Sequence, residues 1–201
     1  MRTNDLVKTI HYTTKAQEIC ANLVSYIPQD VQLIEPFVGD GDLLALFPNH
    51  NWELFDIEDK GNNIVQDTLL NAPEYANKWV ITNPPYLAKN KASNKTIFSK
   101  YDVDDLYKAT LLSILNCDGG ILIIPTNFLT DERTGAVRTK FLDQFAILEM
   151  NIFTDNIDGK FDNIFLSNFF SIISFGILLL IFSSLLIVFS FVNISFLNSK
   201  Y

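Results

Sequence analysis

The chain has 201 residues and a formal charge of −8, enough for one α/β domain with a sizeable core and too short for two large ones. The negative balance excludes a protein whose whole surface binds nucleic acid, so any such contact requires a local basic surface. The cysteines (Cys20, Cys117) and histidines (His11, His50) are too scattered for a disulfide framework or a metal site, so reduced core thiols, a cytoplasmic setting and no metal are expected.

No apolar h-region opens the chain, so no signal peptide is expected. Thr14-Lys15-Ala16-Gln17 has the form of a capping box, and Ala16, Ile19, Cys20, Leu23, Val24 and Ile27 recur at helical spacing. An amphipathic helix ended by Pro28 is predicted there. Val31–Glu35 reads as a buried strand running into Pro36-Phe37-Val38-Gly39-Asp40-Gly41-Asp42, a tight glycine turn, and Leu43, Leu44 and Leu46 begin another helix. Strand, glycine turn and helix open a nucleotide-binding βαβ unit. Leu44 stands where a dinucleotide fingerprint has its third glycine, and Glu35 and Asp40 make the turn acidic. Such a turn repels phosphate and suits a ligand carrying an amino group or a sulfonium. The next apolar run, Trp52–Phe55, stops at Asp56, where a ribose hydroxyl pair is commonly held. Asn63–Gln66 stops in the same way at Asp67. The competing reading is that Asp56 and Asp67 only cap the helices that follow.

Trp79-Val80-Ile81-Thr82 then reaches Asn83-Pro84-Pro85-Tyr86. Two prolines fix φ and remove two donors, which leaves neighbouring carbonyls as outward acceptors. The Asn83 side chain adds a further acceptor and Tyr86 a flat ring. Two acceptors and a ring suit an exocyclic amino group on a nucleobase. Gripping its hydrogens favours a pyramidal nitrogen and stabilises the positive charge that grows as it attacks. Hydrogen bonds to a charged group are worth about 1.5–3 kcal/mol each, so two supply roughly two to four powers of ten in rate. A base inside a duplex must be flipped out for this at a cost of a few kcal/mol, and stacking on an aromatic returns about 1–3 kcal/mol. The plainer reading is a strand end, a Pro-Pro turn and a buried tyrosine. Lys89, Lys91 and Lys95 follow directly, with Lys100 beyond, and no acid interrupts them. They read either as a solvated loop or as contacts to phosphates.

Asp104 is predicted to cap a helix through Leu106, Ala109, Leu112 and Leu115, and Ile121–Ile124 reads as a fully buried strand after Gly119-Gly120. Pro125–Leu129 leaves that strand near Asn83 if the two strands are neighbours. A helix through Val137 and Phe141 and a strand at Phe145–Glu149 continue the alternation. Repeated β/α units with polar residues at strand ends predict an α/β, doubly wound sheet.

Over roughly residues 10 to 163 these pieces resemble, in order, the S-adenosylmethionine-dependent amino-methyltransferases of DNA. Tyr12-Thr13 resembles the N-terminal cofactor motif, and Glu35-Pro36-Phe37-Val38-Gly39-Asp40-Gly41 the glycine motif. Asp56-Ile57 resembles the ribose-binding acid and its neighbour, and Asp67 the acid near the cofactor adenine. Asn83-Pro84-Pro85-Tyr86 matches the catalytic motif in its adenine-N6 form. Asp105-Leu106-Tyr107-Lys108 and Gly119–Pro125 resemble two later motifs. The resemblance implies a Rossmann-like methyltransferase fold, S-adenosylmethionine as cofactor and duplex DNA with a flipped adenine as substrate. Asn83 follows the glycine motif with no room for a domain between them, the arrangement found in type II restriction–modification systems, which implies a cognate restriction endonuclease as partner. The same Asn-Pro-Pro-Tyr occurs in protein-glutamine and ribosomal RNA methyltransferases, which stay open as alternatives. The helix before the glycine motif and the lysines after Tyr86 favour DNA.

After Phe161-Asp162-Asn163 the family pattern continues into another strand motif and a recognition domain. Here Ile164 to Ser199 carry no charge at all. A membrane anchor, a buried hairpin and the product of a shifted reading frame all fit such a tail, and its abrupt onset favours the last. The expected division is a partial catalytic domain over 1–163 and an apolar tail over 164–201 outside the family pattern, with impaired activity through loss of the recognition domain. A non-enzymatic membrane protein is the reading in which the tail dominates.

Overall fold

A computed structural model describes residues 20–153, 164–171 and 193–197. The capping box at Thr14, together with Tyr12 and Thr13, lies outside them. One eight-stranded sheet runs through the described residues: β1 (Gln32–Glu35), β2 (Asn51–Asp56), β3 (Ile64–Val65), β4 (Lys78–Thr82), β5 (Gly119–Pro125), β6 (Phe145–Phe153), β7 (Ile164–Ser171) and β8 (Asn193–Leu197). Their order across the sheet is β3-β2-β1-β4-β5-β7-β6-β8. Strands β3, β2, β1, β4 and β5 are all parallel, so Glu35, Asp56, Val65 and Thr82 end on one rim. The chain builds outward from β1 in both directions, which puts the topological switch point between β1 and β4.

Both faces of the parallel part are covered, as continuous apolar strands require. Ile34, Val80, Leu122 and Ile124 point to one core, and their neighbours Leu33, Ile81, Ile121 and Ile123 point to the other. The first core is roofed by α1 (Thr96–Tyr101), α2 (Leu106–Ser113), α3 (Asn127–Thr130) and α4 (Gly135–Leu142). Cys20, Leu23, Ile27, Leu43 and Phe47 close the second; Cys20 there and Cys117 in the first core are both buried free thiols. Desolvation raises the Cys20 thiol to about 12, which keeps it protonated and unreactive.

Between β4 and β5 the backbones meet closely. Gly120 lies opposite Val80 with φ +156, and a Cβ built there would stand 1.8 Å from the Val80 carbonyl oxygen. A Cβ on Gly119 would meet the Phe169 carbonyl and the Trp79 ring. The glycine pair therefore fits β5 between β4 and β7.

Several elements differ from their sequence expectation. The helix after the glycine turn is a single 3₁₀ turn, Asp42–Leu46, because Pro48 has no N–H and drives Phe47 out of helical φ/ψ (−135, 62). The cap of α2 is Asp105, which accepts from the Tyr107 amide, whereas Asp104 pairs with Lys108 at 2.7 Å. Strand β3 is only two residues long and both are exposed. The first eight residues of the uncharged tail form β7, hydrogen-bonded antiparallel between β5 and β6, and Asn193–Leu197 add β8 beside β6. Phe169 of β7 is buried in contact with Phe141 and Phe145. No helix among the described residues is long and apolar enough to cross a membrane, and 172–192 lie outside them.

Candidate active site

The rim formed by the strand carboxyl ends is built from the glycine turn outward. Gly39 (φ 54) and Gly41 (φ 82) take left-handed backbone, which L side chains rarely adopt. That geometry lets the turn fold back on β2: the Val38 amide donates to the Phe55 carbonyl and the Gly39 amide to Asp56 Oδ2, both at 2.9 Å. Asp56 Oδ1 accepts from the Glu58 amide at 2.9 Å. Asp56 is only 3% exposed, yet it still borders the cleft described next. Thr68 donates to the Pro36 carbonyl at 3.2 Å, tying the segment after β3 to the turn after β1.

These ties shape an open cleft whose empty space, open solvent included, is about 600 Å³. Phe37, Asp56 and Ile57 line it together with Gln66 to Leu69 and with Asn83, Pro85, Ile97 and Leu106. Of the sequence candidates, Phe37, Asp56, Ile57, Asp67, Asn83 and Pro85 thus meet in one place. Gly39 and Gly41 line a separate hollow of about 340 Å³ behind the turn, with Leu54, Lys60 and Asn63. Pro36 and Pro84 are buried beneath the rim. Among the described residues no group of His, Cys, Asp and Glu could hold a metal ion.

Asp67 caps a turn and no helix follows it: its Oδ1 accepts from the Leu69 and Leu70 amides at 3.1 and 3.0 Å. Its residue also lines the cleft. Glu35 differs from a direct ligand. It is 1% exposed, and Oε1 accepts from the Thr82 hydroxyl at 2.6 Å and the Phe37 amide at 3.1 Å. Its place is beneath the turn, holding the ends of β1 and β4 together next to Asn83.

Burial raises the Glu35 carboxyl from its ordinary 4.5 to about 8; the Thr82 and Phe37 hydrogen bonds oppose this and the Asp56 charge adds to it. Between those limits the folded state keeps a proton that the unfolded chain has released. The contribution of Glu35 to stability is therefore full below about pH 4.5 and lost progressively as pH rises to about 8. Glu35→Gln keeps the acceptor and removes the titration. Urea denaturation across that range is expected to show this downward slope in the parent chain and not in the variant.

The Asn83 loop departs from expectation at Tyr86. The ring is 9% exposed and packs edge-on against Tyr107 at 6.4 Å between centroids, so it offers no open face to a base. Its hydroxyl lies 2.6 Å from Asn83 Oδ1 and also within reach of the Ile123 carbonyl on β5, the two acceptors sharing its single proton. A phenol beside the buried β4–β5 pair gains more from these acceptors than from solvent, which draws the ring inward. The lysines separate into two groups. Lys91 and Lys95 are exposed and Lys89 is half-buried, on a loop held to α2 through Lys89 N–H to Asp104 O at 2.7 Å. Lys100 is exposed too, but its ammonium turns back to the Leu69 and Leu70 carbonyls at 3.0 and 2.9 Å. Ile97, Leu69 and Gln66 were not singled out by sequence, because nothing local marks a residue that reaches the site through tertiary packing.

No family model matches the sequence, and no curated protein matches it. Solved structures do resemble it. A Listeria monocytogenes protein assigned to the class I S-adenosylmethionine-dependent methyltransferases superposes with TM-score 0.68 at 12% identity, covering 99% of this chain and 68% of that one. The methyltransferase subunit of a type I restriction–modification system from Streptococcus thermophilus gives 0.56 at 14% identity over 81% of this chain and 44% of its own. A Pyrococcus horikoshii protein assigned as an RNA methyltransferase gives 0.58 at 15% identity, covering 83% and 88%. The chain therefore has the Rossmann-like methyltransferase fold, and it spans less than half the length of the type I subunit.

Proposed function

We propose that this chain is an S-adenosylmethionine-dependent methyltransferase that modifies the N6 amino group of adenine in duplex DNA, in a restriction–modification setting with a partner endonuclease. The observation that carries the reading is Asn83, fixed at the carboxyl end of β4 on the wall of a cleft whose other walls hold Asp56 and Asp67.

The cleft's chemistry fits the cofactor. Phe37, Ile57, Leu69, Ile97 and Leu106 are apolar surfaces for an adenine ring, and two carboxylates border them with acceptor positions for ribose hydroxyls and an amino group. When bound, S-adenosylmethionine supplies an electrophilic methyl group. Asn83 Oδ1 accepts a hydrogen from the target amine and so favours the nitrogen that carries developing positive charge. Tyr86 holds that carboxamide, and the Thr82–Glu35 pair ties the ends of β4 and β1 beside it. Lys89, Lys91 and Lys95 lie just beyond, where exposed ammonium groups can meet phosphates and position a duplex without reading it.

The test incubates the full chain with methyl-labelled cofactor and, separately, duplex DNA, ribosomal RNA and a glutamine-containing protein substrate. Label recovered as N6-methyladenine from DNA supports the reading. Label confined to RNA or protein overturns the substrate, and failure to bind S-adenosylmethionine overturns the whole.

A further inference from the structure

Lys100 belongs by sequence to the basic stretch after Tyr86, but its ammonium is engaged elsewhere. Alongside the Leu69 and Leu70 carbonyls it lies 4.9 Å from the Tyr101 ring centroid. Two carbonyl dipoles and an aromatic face together define a place for one cation. On α1, Lys100 is three residues beyond Ile97 and shares its side of the helix, and Ile97 and Leu69 both line the cleft. The bond therefore joins two of the segments that line one cavity.

What it grips also matters. Leu69 and Leu70 direct their amides to Asp67 Oδ1 and their carbonyls to Lys100 Nζ. The turn that presents Asp67 is bracketed by an anion on its donor side and a cation on its acceptor side. Thr68 pins the same turn to Pro36. With the ammonium gone, the Asp67 and Thr68 anchors and the core packing that Leu69 shares with Phe98 of α1 remain, but the polar bonds from α1 to the Leu69 and Leu70 carbonyls are lost.

We infer that Lys100 is a positioning residue for the adenosyl end of the cofactor cleft: it clasps α1 to the Asp67 turn and sets the spacing between Ile97 and Leu69. This rests on the cofactor reading given above. Its partners are backbone groups, so it acts through geometry and touches no reacting atom.

Two variants of the full chain test it. Lys100→Met keeps the stem and removes the charge, and Lys100→Arg keeps a cation within reach of the carbonyls. Titration calorimetry with S-adenosylmethionine is expected to show affinity about tenfold weaker in the first and within about threefold of the parent in the second. Hydrogen exchange at Leu69, Leu70 and Asn71 in the ligand-free protein is expected to speed up in Lys100→Met and to recover in Lys100→Arg. Faster exchange with unchanged affinity makes Lys100 merely structural and overturns the inference, as does unchanged exchange. If the parent chain does not bind S-adenosylmethionine, the functional reading falls, while exchange still decides whether the clasp exists.

Discussion

Replacing Asn83 with alanine is expected to lower methyl transfer by at least about two orders of magnitude while leaving affinity for S-adenosylmethionine within about threefold. The side chain provides an acceptor where charge develops, so its loss falls on the transition state and shows in kcat. The pocket walls contributed by Phe37, Asp56 and Asp67 are untouched, so cofactor binding remains. Removing the carboxamide also takes away one acceptor of the Tyr86 hydroxyl, but the Ile123 carbonyl remains, and the stability cost is about 1 kcal/mol. Single-turnover rates on duplex DNA, beside calorimetric cofactor titration, check both halves. Equal losses in rate and cofactor affinity would place Asn83 in the cofactor site and not at the reacting amine.

Gly120→Ala is expected to fail at the level of the fold. The new methyl carbon would stand 1.8 Å from the Val80 oxygen, and that oxygen belongs to the backbone of a central strand, which cannot step aside as a flexible side chain does. A cost above about 4 kcal/mol follows, comparable with the whole stability of many domains of this size. Gly61→Ala is the control. Its Cβ would meet nothing within 4 Å, so only the positive φ of 92° is penalised, by about 1–2 kcal/mol. Soluble yield and urea midpoints of the two variants separate steric conflict from backbone strain.

Strands β1, β2, β4 and β5 were legible because each is an apolar run that stops at a polar or turn-forming residue, and alternation within them assigns the two cores. The acids at strand ends were legible for the same reason. Neighbouring acids were harder: Asp104 and Asp105 offer the same local signal, and only the bridge between Ala88 and Asp105 selects the second as cap. Strand β7 was hidden because Ile164–Ser171 lies in an uncharged stretch whose apolar residues keep no two-residue alternation to distinguish strand, helix and membrane span. The inward turn of Tyr86 depends on Ile123 and Tyr107, which lie far away in sequence. Lys100 looked like its neighbours until the fold brought the Leu69 and Leu70 carbonyls to it. Substitution at Lys100 therefore separates from substitution at Lys91 or Lys95, where the side chain faces solvent.

The antiparallel seat of β7 bears on how the chain is made. A ribosome releases β6 before β7, yet β6 finds its strand neighbours only in β7 and β8. Until Ser171 has emerged, β5 exposes an unpaired edge and β6 has nothing to zip onto, so the nascent product carries two adhesive edges at once. Closure of the sheet thus waits for β7 to emerge, and that interval is when holdase chaperones would find the most to hold.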